Sequence, residues 1–271
     1  MRAKNNKNIM EDFMKQYIVD AFTDKVFAGN PAAVCILDQW LSDEIMQKIA
    51  IENNLSETAF AVREKENYRL RWFTPGGEVE LCGHATLATA YVILRFIEPK
   101  AEKVCFDTLS GVLVVNKNGE MLTMDFPSFS LTPIAITAEL ISALGGVTPV
   151  EAYIGADIVC VLENEEQVRN VTPNQTIIRD LDGVCFHITA KGNAYDCVTR
   201  SFAPKCNVAE DSVCGRGHCH VIPLWSEKLG KTELTAYQAS ARGGELYCRY
   251  VGERTILSGK AVLFSEAEIY F

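Results

Sequence analysis

Two short stretches of this chain share one grammar: Glu80-Leu81-Cys82-Gly83-His84-Ala85 and Asp211-Ser212-Val213-Cys214-Gly215-Arg216-Gly217-His218. Each runs from an acidic residue into Cys-Gly and on into an apolar, helix-like segment, Ala85 to Ile97 behind the first and Cys219 to Leu229 behind the second. A Cys-Gly turn that opens a helix brings free backbone N–H groups, the positive end of the helix dipole and a thiol to one place. Two such turns can hold an anionic substrate between them and offer a proton-transferring group to each of its faces. The chemistry this suggests is proton transfer on a small carboxylate.

Cys82 and Cys214 are the first candidates, because a helix N-terminus stabilises a thiolate and lowers its pKa. One thiolate could take a carbon-bound proton while the opposed thiol returns one; the plainer reading makes each a small residue that permits a tight turn. Glu57, in Asn54-Leu55-Ser56-Glu57-Thr58-Ala59-Phe60, opens an apolar strand. Partial burial there would raise its pKa and let it exchange a proton near neutrality, whereas a strand-end acid left in water would do nothing. His84 would sit where the dipole opposes protonation, as a neutral relay or a cap. Asp211 could cap the second helix or couple to Glu57.

Other chemistries find less support. Cys214, His218, Cys219 and His220 suggest a metal, but the histidines are two apart and point to different sides of a helix, with no second Cys-x-x-Cys cluster. No metal set is read here. Gly259-Lys260 lacks the glycine of a P-loop, and Gly215-Arg216-Gly217 lacks the third glycine of a dinucleotide fingerprint, so no cofactor is expected.

The elements that must position these residues are strand-rich. Residues 17–22 and 32–37 read as strands around Ala28-Gly29-Asn30-Pro31, and Ser42 caps a helix over Asp43 to Asn53. Strands at 57–62 and 68–73 precede the first Cys-Gly helix, and short strands at 104–106, 111–115 and 121–126 follow it. After a linker from Pro127 to Pro133 come a helix at 137–144, strands at 151–162, an irregular polar stretch at 163–182 and strands at 184–190 and 195–202. Beyond the second Cys-Gly helix, strands pair at 233–240 with 244–251 and at 254–257 with 260–264, ahead of a short strand at 267–271. Two halves with a helix in the same place imply duplication: an α+β fold, residues 14–126 and 127–271, with the site in the cleft between them.

Bulk properties narrow the partners. A net charge of −9 argues against nucleic acid, and the longest apolar run contains Arg95 and is too short to span a bilayer. Residues 1–13 read as a polar leader without the apolar core of a secretory signal, with Met10 or Met14 as alternative starts. Several of the ten cysteines lie in strand-like runs, where a free thiol behaves as a small hydrophobe, and a cytoplasmic setting is expected.

The chain resembles the PhzF-like family, named for the phenazine-biosynthesis isomerase and related in fold to diaminopimelate epimerase and proline racemase. The resemblance runs from about Met14 to Phe271. It rests on Val19-Asp20-Ala21-Phe22-Thr23 with Phe27-Ala28-Gly29-Asn30-Pro31-Ala32, on Asn54 to Phe60, Arg71-Trp72-Phe73-Thr74-Pro75, Glu80 to Thr86, Arg200-Ser201-Phe202-Ala203-Pro204 and Gln238 to Gly244. It implies two barrel-like halves, each around a central helix, no organic cofactor, and a homodimer. It further implies that Glu57 shuttles a proton between carbons of a small carboxylic acid, assisted by His84 and Asp211. Gly83, Gly215 and Arg216, with Asn30 and Ser56, are the expected substrate-binding positions. In the family the second motif usually reads Asp-Pro-Val-Thr-Gly-Ser-Ala; this chain has Ser212, Cys214 and Arg216 instead. Cys214 moves the pattern toward the two-cysteine racemases, Arg216 could recognise a second carboxylate or block the pocket, and Ser212 lacks the rigidity of proline. Three functions follow: a Glu57-dependent isomerase, a Cys82/Cys214 racemase, or a non-catalytic binder of small acids.

Overall fold

The computed structural model describes residues 13–271. The Arg2 to Lys7 leader and Met10 lie outside the described residues. The chain runs β1 (Phe13–Ala21), β2 (Asn30–Leu37), α1 (Asp43–Asn53), β3 (Glu57–Glu64), β4 (Asn67–Thr74), β5 (Gly77–Val79), α2 (Gly83–Val92), β6 (Lys103–Thr108), β7 (Gly111–Asn118) and β8 (Met121–Pro127). It continues through β9 (Thr132–Pro133), α3 (Ala138–Ala143), β10 (Glu151–Ile154), β11 (Ile158–Val161), α4 (Glu165–Asn170), α5 (Gln175–Asp180), β12 (Phe186–Lys191), β13 (Cys197–Ala203) and β14 (Val208–Asp211). Last come α6 (Gly215–Leu229), β15 (Glu233–Gln238), β16 (Gly244–Val251), β17 (Arg254–Gly259) and β18 (Ala261–Tyr270).

The pairing order of the first half recurs in the second. β1–β2 is antiparallel, β2–β3 parallel, β3–β4 antiparallel, β4–β6 parallel, and β6–β7–β8 antiparallel. The same senses recur in order along β10–β11–β12–β13–β15–β16–β17. Each half carries a hairpin, β4–β5 or β13–β14, just ahead of its long helix, α2 or α6. Each hairpin is locked by an arginine on a glutamate: Arg71 donates from Nε and Nη2 to Glu78 at 2.7 Å, and Arg200 donates to Glu210 at 2.7 and 2.9 Å. These arginines open Arg71-Trp72-Phe73-Thr74-Pro75 and Arg200-Ser201-Phe202-Ala203-Pro204, so the repeat is written in side chains as well as in topology. The fold is α+β, in two pseudo-symmetric halves joined where β8 pairs with β17 and β1 with β18.

Helix positions follow from local chemistry. Ser42 accepts from the Ile45 amide at 3.3 Å and starts α1 where the capping pattern predicts. α2 is buried around its circumference, every residue but Gly83 and Tyr91, with Thr86 and Thr89 turning their hydroxyls back onto the carbonyls of Cys82 and Ala85, and such a helix belongs inside a sheet. Its predicted extension to Ile97 changes pitch: Ile93–Ile97 is a π-helical turn. α6 contains Pro223, which has no N–H for the Cys219 carbonyl; the Phe129 amide donates to that carbonyl instead, at 3.0 Å.

Two expectations change. The polar stretch 163–182 holds α4 and α5, capped by Asn164 and Asn174, but six residues are too few for a helical period to show in sequence. The final strands do not pair with each other. β17 joins β8, and β18 is one long strand that returns to β1. Gly259 allows that crossing, since a Cβ there would lie 2.4 Å from the ring of Phe22.

Candidate active site

The turn before β2 sets the first residue. Gly29 adopts φ +66°, and a Cβ on it would meet the Ala21 carbonyl at 2.2 Å, so glycine is required. Arg242, from the second half, clamps the turn by donating to the Gly29 carbonyl at 2.9 Å and to Asp20 at 2.7 Å. Asn30 is thereby buried at the junction of the halves. Its amide donates to Asp211 Oδ1 at 2.7 Å and to the Val213 carbonyl at 3.2 Å. Ser56, just ahead of β3, donates to Asn30 Oδ1 at 3.3 Å.

Glu57 begins β3 and His84 lies in the first turn of α2. His84 Nε2 stands 3.1 Å from Glu57 Oε2, an ion-pair distance, yet that oxygen lacks an in-line hydrogen bond, so the contact is Coulombic first. His84 Nδ1 lies 3.1 Å from the Asn30 amide nitrogen and 3.5 Å from Cys82 Sγ. The two amide protons of Asn30 are already taken by Asp211 and Val213, which leaves Nδ1 free to carry its own proton toward the Cys82 sulfur.

Charge follows this geometry and departs from the sequence reading at three points. Burial pushes the Glu57 carboxyl up, but the charge of His84 above all prevails and holds it below its ordinary value. Burial likewise opposes the His84 proton, but Cys82 and Glu57 raise the imidazole well above its ordinary value, overriding the helix dipole. The thiols are not depressed: burial and then the Glu57 carboxylate raise Cys82, while a hydrogen bond with Cys185, burial and Asp211 raise Cys214. Asp211 is raised by burial and by Glu57. The two carboxyls are thus driven apart, Glu57 toward the anion and Asp211 toward the acid.

The helix openings differ in detail. Cys214 is itself the N-cap of α6, its sulfur accepting from the Gly217 amide at 3.3 Å. Asp211 does not cap the helix; its Oδ1 accepts from the Val213 amide at 3.2 Å and closes the turn that Ser212 enters in place of proline. The Ser240 hydroxyl also holds that turn, donating to the Ser212 carbonyl at 2.8 Å. Cys82 caps α2 without a side-chain hydrogen bond. The two helix ends meet: a Cβ on Gly83 would lie 3.9 Å from Gly215 Cα. Beside them is a cavity of about 90 Å³ bounded mainly by Leu81, Gly83, Phe126, Phe129, Gly215 and Arg216; Glu57, His84 and Asp211 do not line it.

Arg216 is not a loose cation. Its Nε donates to Asp157 at 2.6 Å, and its guanidinium lies 5.1 Å over the ring of Phe129. Asp157 and its neighbour His187 are site-adjacent residues that sequence reasoning missed, since only the tertiary fold brings them to α6. Among the described residues, two clusters bring three possible metal-donor atoms within 4.8 Å of one another: Glu57, Cys82 and His84, and Asp157, His187 and His220. The Cys214, His218, Cys219, His220 set does not assemble. His218 and His220 turn their Nδ1 atoms to the carbonyls of Cys214 and Arg216 at 2.7 and 2.9 Å.

Known proteins agree with this architecture. The family model described as phenazine biosynthesis-like protein, PhzC-PhzF, matches residues 19–267. A Pseudomonas aeruginosa protein named as an uncharacterised isomerase is 48% identical over 252 residues, 93% of this chain and 96% of its own. The crystal structure of a PhzF-family protein of Enterococcus faecalis is similar at a TM-score of 0.94 and 47% identity, covering 96% of this chain and 100% of that one. A hydroxyproline epimerase of Agrobacterium vitis, at 11% identity and a TM-score of 0.64, over 96% of this chain and 92% of its own, shares the fold. No helix among the described residues is long and apolar enough to cross a membrane. The chain belongs to the phenazine-biosynthesis-like PhzC-PhzF family, on the fold it shares with epimerases and racemases.

Proposed function

We propose that this protein is a cofactor-independent isomerase that moves a proton between carbons of a small carboxylic acid. The observation that carries this is the Glu57–His84 pair at the opening of α2, with Asp211 facing it through Asn30. Glu57, held as the carboxylate, takes a proton from carbon and returns it to another carbon, so the reaction is proton-neutral overall. His84 supplies positive charge beside the anion that develops, and Asp211, raised toward its acid form, can donate a hydrogen bond to it. The amides at Gly83 and Gly215, at the positive ends of α2 and α6, receive the substrate carboxylate. Asn30 and Ser56 position His84 and Asp211 around it. Substrate must part the two helix ends, which stand in contact.

Anchored by Asp157, Arg216 offers the remaining N–H groups of its guanidinium to a second anionic group at the edge of the apolar cavity. Such an enzyme, each chain divided into two halves near residue 126, works in the cytosol, where its thiols stay reduced, and as a homodimer, as the family resemblance implies. The two-thiol racemase reading keeps Cys82 and Cys214 at equivalent helix caps, but both thiols are raised, which disfavours the thiolate that reading needs.

The test is incubation in D₂O with amino acids, hydroxy acids and conjugated cyclic acids, followed by mass spectrometry and chiral chromatography. Isomerisation of a conjugated acid without inversion supports the Glu57 shuttle. α-Deuteration with loss of optical purity would establish the racemase. Tight binding of an acid with no exchange would make the protein a binder.

A further inference from the structure

We infer that Asp157, His187 and His220 form a binding site for a divalent transition-metal ion such as Zn²⁺ or Co²⁺, separate from the Glu57 centre. Asp157 lies in the turn between β10 and β11, His187 on β12 and His220 on α6, and all three are 0% exposed. Asp157 Oδ2 stands 3.5 Å from His187 Nε2 and 3.8 Å from His220 Nε2, and the three donor atoms lie within 4.8 Å of one another. A tetrahedral ion with bonds of about 2.0–2.1 Å sets its donors about 3.4 Å apart, close to the two separations from Asp157 Oδ2, and the two imidazoles would draw in around the ion.

The arrangement of protons points the same way. His220 Nδ1 faces the Arg216 carbonyl at 2.9 Å, and a carbonyl only accepts, so the proton of the neutral ring sits on Nδ1. Nε2 is then a bare lone pair, fully buried and without a hydrogen-bond partner. Opposite it stands a carboxylate oxygen, also an acceptor. That oxygen is held by Arg216 Nε at 2.6 Å and lies 3.5 Å from His187 Nε2, so the orphaned acceptor is His220 Nε2, and a cation lodged beside Asp157 would satisfy it. The surrounding contacts hold the donors as a metal site does. Ser201 hydrogen-bonds His187 Nδ1 at 2.9 Å, and the Val184 and Cys185 amides donate to Asp157 Oδ1 at 2.8 and 3.0 Å. Phe129 stacks on His220 with ring centroids 4.3 Å apart and shields that side.

Arg216 is the competing cation. Its Nε already donates to Asp157 Oδ2 at 2.6 Å, so an ion and the guanidinium share one carboxylate, and metal binding loosens Arg216 toward the cavity between the helix ends. That competition separates a metal site from a buried ion pair whose only task is to hold Arg216.

The full chain, kept reduced, is stripped with a chelator and titrated with Co²⁺, followed by its visible d–d bands, and with Zn²⁺ against a chromophoric chelator. One equivalent is expected, without a strong thiolate-to-cobalt charge-transfer band, because the donors are nitrogen and oxygen. Asp157→Asn and His220→Gln should weaken binding by about a hundredfold, and Arg216→Met should strengthen it roughly tenfold. Should the buried variants unfold, Arg216→Met still decides, since it alters the half-exposed partner and leaves every donor in place. Absence of saturable binding in both the native chain and Arg216→Met would overturn the site. So would an affinity that Arg216→Met leaves unchanged, or a charge-transfer band placing the ion on cysteine.

Discussion

The Asn30 amide and the Asp211 carboxylate lie 2.7 Å apart across 181 positions of sequence, and this hydrogen bond ties the acid–base residues of one half to those of the other. Asn30 is 1% exposed. Asn30→Ala leaves the Val213 carbonyl without its side-chain donor and Asp211 Oδ1 with the Val213 amide alone in a buried site. A loss of about 1–3 kcal/mol is expected, read as a shift in the urea midpoint. Turnover should fall with it, because Asp211 loses the donor that holds it beside the Glu57–His84 pair. A variant as stable as the native chain would show that the halves are held elsewhere.

Glu57→Gln should cut turnover by about a hundredfold or more while leaving carboxylate binding measurable. Cys82→Ser and Cys214→Ser should keep much of their activity, since neither thiol is poised as a thiolate. Deuterium exchange in D₂O compares the three directly. The reverse pattern, with the serine variants dead and Glu57→Gln active, would transfer the mechanism to the thiols.

The pH profile follows from opposite shifts. Glu57 is lowered from 4.5, so its anion persists until pH falls below that value; His84 is raised above 6.5, so its proton persists until pH rises above that. As far as this pair is concerned, kcat/KM should therefore be highest between 4.5 and 6.5 and fall on both sides, with any loss of the Asp211 proton adding a further decline toward higher pH. The pair's contribution to stability is full in the same window, lost below it as Glu57 protonates and above it as His84 deprotonates. An acid limb centred well above 4.5 would mean that burial outweighs His84.

Two glycine variants separate substrate binding from folding. On Gly83 a Cβ meets Phe126 at 3.7 Å and Gly215 Cα at 3.9 Å, ordinary contact distances. Gly83→Ala should fold with little change in Tm but narrow the place where the helix ends receive a carboxylate, raising KM. On Gly217 the Cβ would lie 2.8 Å from His187 Nδ1 and 2.9 Å from Ser201 Oγ, both buried. Gly217→Ala should lose about 1–3 kcal/mol from overpacking, seen as a lower Tm. Equal effects of the two on Tm would contradict this division.

Much of the architecture is legible in local sequence. Ser42 before an amphipathic run specifies α1, and Cys-Gly before a run of apolar residues specifies α2 and α6, because capping and periodicity act over a few residues. The candidate residues Glu57, His84, Cys82, Asp211, Asn30 and Ser56 do come together, as residue types and motif resemblance suggested. α4 and α5 were not legible, being shorter than the period that would reveal them.

What the tertiary structure alone decided is charge and partnership. Local context suggested a raised Glu57, a neutral His84 and activated thiols; the fold reversed the first two because Glu57 and His84 stand 3.1 Å apart in a buried place, and the third because it buries Cys82 and sets Cys185 beside a buried Cys214. Arg216 reads in sequence as a cation that meets a second carboxylate or blocks the pocket, and only folding gives it Asp157. The last strand returns to β1 instead of pairing with its neighbour. Propensity acts over the length of a turn, whereas a pKa or a strand partner depends on which distant segment arrives within a few ångströms.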